Sequence, residues 1–147
     1  MSRPADQPRR LLTDWTTTAG VAGDGLLALV AGEGVTAEGI HLATLGYEVF
    51  VLAAGDDLTH VHHVDVPADQ LPEVWRDRFA LVVTFDASLA PALAPVLADG
   101  GLLVALAGTD EPLDLAGLVE VTRESGPDPD EPDADRVRVV AARVDGA

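Results

Sequence analysis

The sequence predicts an α/β fold: a mostly parallel sheet of seven strands, closed by an antiparallel hairpin and dressed with shortened helices. Three observations predict it. Residues 26–57 read LLALVAGEGVTAEGIHLATLGYEVFVLAAGDD, an apolar run, a glycine turn, a helical pattern and a second apolar run. That is strand, loop, helix, strand, the first half of a nucleotide-binding unit. Residues 79–85, FALVVTF, form a short apolar run of the kind buried on both faces of a parallel sheet. The last two runs alternate apolar with polar residues, as an antiparallel hairpin does.

Each element follows in order. Residues 1–22 read as a loose arm with Trp15 as its anchor, and 23–147 as the folded domain. Residues 26–31 are a buried strand. Thr36 suits the N-cap of a helix over 37–45, with Ile40, Ala43 and Leu45 near one face and Gly46 as its stop. Residues 49–53 are the second strand. The connection 54–59 is too short for a helix, and 60–66 is the third strand. A short helix over 69–78 carries Leu71, Val74 and Trp75, the last a core or interface anchor. After strand 79–85 comes Asp86, then an apolar helix over 87–98 that Pro91 and Pro95 interrupt. Asp99-Gly100-Gly101 turns into strand 102–107, and 110–117 allow a turn or two of helix. Strands 118–124 and 136–144 are joined by an acidic, proline-containing loop over 125–135, read as mobile.

The 147 residues suffice for one domain with its own core. No apolar run exceeds strand length, so none is expected to span a membrane. Twenty-five acidic against nine basic residues give a net charge of −16, a field that repels nucleic acids and anionic lipid surfaces. With no cysteine, a cytoplasmic location is the default. No phosphate-binding lysine loop, Gly-x-Ser-x-Gly elbow or zinc-protease helix occurs, so NTPase and hydrolase readings have no support.

Three histidines, His60, His62 and His63, invite a metal reading. On a strand, His60 and His62 share one face and His63 takes the other. Two imidazoles on a face need ligands from elsewhere, so the expectation is a polar edge strand and no metal site. His41, on the first predicted helix, is expected at the surface.

The order of elements resembles the class I S-adenosylmethionine-dependent methyltransferases, particularly their small-molecule and tellurite-resistance-type branch. LALVAGEGVTAEGIHLATLGYEV resembles the family's motif I with its helix and second strand. FALVVTFDASLAPALAPVLADGGLLVALAG is similar to its fourth strand through its fifth, and LVEVTRES and RVRVVAARV to its closing pair. The resemblance implies a Rossmann-like three-layer sandwich in which only the last strand is antiparallel. It implies a cofactor loop at Gly32, Glu33 and Gly34, and an adenine contact at Asp65, which read without the family is a strand-end cap. Asp86 is the candidate catalytic group, and otherwise a turn aspartate.

The departures point the other way. Ala31 stands where the family has an acid before the loop, and Val35-Thr36 where the branch has Arg-Asn. Ala53 occupies the place of the carboxylate that takes both ribose hydroxyls, with Asp56 and Asp57 the nearest substitutes. The helix between strands two and three is missing, as is most of the cover over a substrate. The chain therefore reads as a degenerate methyltransferase-like domain, a non-catalytic binding or regulatory subunit whose partner is itself or another protein chain. The alternative is an active S-adenosylmethionine-dependent methyltransferase with a small-molecule acceptor.

Overall fold

The computed structural model describes residues 7–32, 35–108, 113–115 and 117–144. In chain order its elements are α1 (Arg10–Ala19), β1 (Leu27–Ala31), α2 (Thr36–Thr44), β2 (Glu48–Leu52), β3 (Val61–His63), β4 (Phe79–Thr84), α3 (Ala90–Leu93), β5 (Leu97–Gly108), β6 (Val119–Pro127) and β7 (Asp135–Ala142). The strands make one seven-stranded sheet in the order β3-β2-β1-β4-β5-β7-β6. β7 runs antiparallel to both β5 and β6, and the other pairings are parallel. No described helix is long and apolar enough to cross a membrane.

The central strands are apolar at nearly every position because both faces are covered. Along β1, Ala28 and Val30 join Leu12, Trp15 and Leu42 beneath α1 and α2. Leu29 and Ala31 point the other way, to Phe79, Leu93 and Val96. This alternation makes the three layers.

Four local expectations shift, each for a physical reason. Residues 10–19 are a helix rather than a loose arm: Leu12, Trp15 and Thr16 are buried, and Gly20 closes the helix at φ 65°. In α2 the N-cap is Val35, and Thr36 Oγ1 instead meets His63 Nε2 at 3.0 Å. The helix packs through Gly39, where an added Cβ would stand 2.7 Å from Val51 Cγ2. Seating the backbone so close buries Ala37, Glu38, Gly39 and Leu42 and leaves Ile40 exposed. Between β3 and β4, Pro72 stops a continuous helix. Two 3₁₀ turns, Ala68–Gln70 and Glu73–Trp75, replace it; Leu71 and Trp75 pack inward and Val74 is exposed.

The Gly-Gly pair is the fourth. It lies within β5, where the register with β4 jumps from Phe79↔Leu97 to Leu81↔Leu102. A Cβ on Gly101 would stand 2.9 Å from the Phe79 carbonyl oxygen, so the bulge needs glycine there. The proline-interrupted segment is as expected: 3₁₀ turns at Ala87–Leu89 and Ala94–Val96 flank the single turn of α3. Of the helical turn expected over 110–117, residues 110–112 and 116 lie outside the described residues, and 113–115 are not helical.

The acidic loop is pinned rather than free. The Asp128 N–H donates to the Ala134 carbonyl at 2.8 Å, and Arg136 sits 3.6 Å from Asp128 and 3.5 Å from Glu131. Asp130 Oδ2 accepts the Arg10 N–H at 2.9 Å, serving the exposed donors at the start of α1. Arg138 Nη1 donates to the Leu11 carbonyl at 2.9 Å. Hairpin and first helix are thereby joined.

His41 is half-buried rather than fully at the surface. Its Nε2 lies 2.9 Å from Thr16 Oγ1, clamping α2 to α1, and burial lowers its pKa from the ordinary 6.5. The fold therefore favours the neutral ring, and the unfolded chain takes up the proton first on acidification. The His41 contribution is complete above pH 6.5 and is lost as pH falls from there through the depressed value. Thermal unfolding should show a midpoint that drops from about pH 7 to about pH 5, with a smaller drop in His41→Gln. Equal slopes would exclude His41 as the cause.

Candidate ligand cleft

The carboxyl ends of β1, β2 and β4 open on a cleft of about 560 Å³. Ligands of open α/β sheets bind at such a place. β1 delivers Ala31 and Gly32, β2 Leu52, and the segment after β4 Phe85, Asp86 and Leu89. Val66, Pro67 and Ala68, following β3, complete an apolar wall. Gly32 has φ 132°, and a Cβ there would stand 3.1 Å from Phe85 Cβ, so the turn is built for glycine. Glu33 and Gly34 lie outside the described residues.

Of the predicted site residues, Gly32 and Asp86 line the cleft. Asp86 caps the following 3₁₀ turn: its Oδ1 accepts the Ser88 N–H at 3.0 Å and the Ser88 hydroxyl at 2.6 Å. Thr84, fully buried, donates its hydroxyl to the Asp86 carbonyl at 2.8 Å and fixes the turn. Asp56, Asp57 and Asp65 are exposed and stand outside the cleft lining. Asp57 holds the strand edge instead, its Oδ1 accepting the His63 N–H at 2.7 Å. At Asp65 the chain presents the next residues, Val66 to Ala68, to the cleft.

Two side chains that sequence reasoning missed shape the site. Arg9, one residue before α1, reaches across to pair with Glu38, whose side chain is 0% exposed on α2. The Arg9 guanidinium also lies 4.2 Å above the centroid of the Phe85 ring, a cation–π contact. Arg9 and Phe85 line a second cavity of about 260 Å³ as well, with Leu106 and the hairpin residues Asp128, Asp130 and Glu131. The pair is therefore the wall between two neighbouring compartments. The predicted face of the helix, through Ile40, Ala43 and Leu45, gave no sign that Glu38 is buried, and no local pattern names Arg9 as its partner.

Of the three histidines, only His62 and His63 lie on β3, on opposite faces; His60 precedes the strand, in a turn with φ 63°. His63 turns to Thr36, while His60 and His62 both meet Glu48 of the neighbouring strand. Hydrogen bonds from His60 and His62 hold the Glu48 carboxyl below its ordinary pKa.

This strand order, with β7 reversed and the cleft at the carboxyl ends, is a Rossmann-like fold shared with solved methyltransferase structures. Among solved structures, the chain is similar to 1,6-didemethyltoxoflavin-N1-methyltransferase from Burkholderia thailandensis, which holds 1,6-didemethyltoxoflavin and S-adenosylhomocysteine. The TM-score is 0.69 at 14% identity, over 97% of this chain and 78% of that one. The N-methyltransferase NodS from Bradyrhizobium japonicum WM9 gives 0.66 at 16%, over 92% and 93%. The glycopeptide N-methyltransferase MtfA gives 0.67 at 14%, over 93% and 96%. No family model and no curated protein matches the sequence. At these identities the likeness is one of fold.

Proposed function

We propose that this chain is a methyltransferase-fold domain that has lost the enzyme's cofactor contacts and acts by binding, as a non-catalytic regulatory subunit. One observation carries the reading: among the described residues, the only carboxylate lining the cleft is Asp86, whose Oδ1 already serves Ser88. Leu52 ends β2 and Ala53 follows it, where the resemblance calls for an acid to take the ribose diol. Forgoing such a charge-assisted bond costs about 1.5–3 kcal/mol, and each 1.4 kcal/mol is roughly tenfold in affinity. The Arg9–Phe85 wall adds to the case, because methyl transfer requires donor and acceptor in contact.

Restoring the acid tests the reading. Ala53→Asp should raise the affinity for S-adenosylhomocysteine by about tenfold or more over wild type. Equal affinity would mean that the end of β2 is not what the site lacks.

A second reading, an active methyltransferase on a small-molecule acceptor, draws on the two adjacent compartments, sized for a larger and a smaller ligand. S-adenosylmethionine would be the methyl donor, held by Gly32, Glu33, Gly34, Asp56 or Asp57, and Asp65, with Asp86 orienting the acceptor. An Asp65→Ala variant with unchanged cofactor affinity would count against it.

A further inference from the structure

Of the described residues that line the cleft at the carboxyl ends of the strands, only Arg9 and Asp86 carry polar side chains. Leu52, Ala68 and Leu89 are partly buried against the core beneath them, and Val66 and Phe85 are half-buried as well. Their remaining surface gives the cleft an apolar lining. Asp86 is exposed, and its Oδ1 is already committed to the Ser88 N–H and hydroxyl. Arg9 is the one cation of this lining. Its guanidinium is steadied from two sides, by Glu38 at Nη1 and by the Phe85 ring 4.2 Å from its centre. The side chain is nevertheless 26% exposed.

We propose that the cleft binds a monocarboxylate with an apolar body, alkyl or aryl. The carboxylate meets Arg9, and the body lies along Leu52, Val66, Ala68 and Leu89. The proposal rests on the reading above, that the cleft no longer serves a methyl donor. A guanidinium presents five N–H donors in a rigid fork, so a second carboxylate can share it with Glu38. Being held by Glu38 and Phe85, the fork loses little freedom when the ligand arrives. A cleft of about 560 Å³ is of the size that takes small molecules.

Other ligand classes fit this lining less well. A nucleotide or a sugar would bury hydroxyls and ring nitrogens against apolar side chains, where each unpaired group costs affinity. A cation would find only Asp86, at the rim and hydrogen-bonded to Ser88. The acids that share the second cavity with Arg9 are occupied in their turn. Asp128 and Glu131 face Arg136, and Asp130 accepts the Arg10 N–H. The chain's net charge of −16 opposes any anion, but charges beyond about 8 Å are largely screened at physiological salt.

The test is titration calorimetry of the full chain at about 0.15 M salt with hexanoate, octanoate, 1-octanol and 4-phenylbutanoate. Octanoate should bind with a Kd below about 1 mM and at least about tenfold more tightly than 1-octanol. It should also bind about fifteenfold more tightly than hexanoate, since each buried methylene is worth about fourfold. The tighter of octanoate and 4-phenylbutanoate identifies the body as alkyl or aryl. In Arg9→Met/Glu38→Leu, checked for folding by circular dichroism, octanoate should fall to the level of 1-octanol, which itself is unchanged. Octanoate binding no tighter than 1-octanol in the wild type would overturn the proposal. So would a preference for octanoate that survives in the double variant. S-adenosylhomocysteine is titrated alongside: silence from both it and octanoate overturns this proposal alone, whereas its micromolar binding overturns the reading beneath as well.

Discussion

Replacing Arg9 by alanine should destabilise the chain by about 3 kcal/mol, a large fraction of a small domain's stability. The Glu38 carboxylate is fully buried and would lose its guanidinium, while the Phe85 face would lose its cation. Arg9 is itself a quarter exposed, which places the effect at the lower end of the range for broken buried pairs. Removing both charges in Arg9→Met/Glu38→Leu should recover most of the loss, because neither change then leaves a charge in the core. Urea unfolding of Arg9→Ala and of the double variant measures this. A double variant as unstable as Arg9→Ala would show that packing, not the ion pair, holds α1 in place.

Phe79→Ala should cost about 3–5 kcal/mol, the largest single effect expected in the core. Phe79 is 1% exposed at the start of β4, with ring centroids 5.7 Å from Phe50 and 5.4 Å from Trp75. This aromatic cluster fills the layer where a longer helix would otherwise lie between β3 and β4. Its removal should also redden the Trp75 fluorescence as water reaches the ring. A loss below about 1 kcal/mol would mean that the layer closes over the gap and that the short 3₁₀ turns carry the packing instead.

The sheet was legible because its central strands are uniform. Residues such as Leu29 and Val30 are buried on opposite faces, and a short run apolar at every position has few other readings. The reversed last strand was legible for the opposite reason, its alternation. Burial faces were less so. Ile40 looks like the inner residue of α2 until Gly39 is seen to seat the helix against Val51. A proline at 72 was in plain view, yet apolar spacing around it suggested a continuous helix.

The site was legible in its glycine and hardly at all in its charges. Gly32 and Asp86 follow from local pattern, since each sits just past a strand. Arg9 and Glu38 are 29 positions apart, and Arg10 and Asp130 are 120 apart. Pairings of that reach depend on how helix and hairpin are laid over the sheet, which no local spacing encodes. Glu48 beside His60 and His62 was likewise hidden until β2 and β3 were placed in register.

The most direct test of the central claim is titration calorimetry of the wild-type chain with S-adenosylhomocysteine. Loss of the cofactor contacts predicts no binding heat up to about 1 mM ligand. Micromolar binding would contradict it, and would return the cleft to the service of a working methyltransferase.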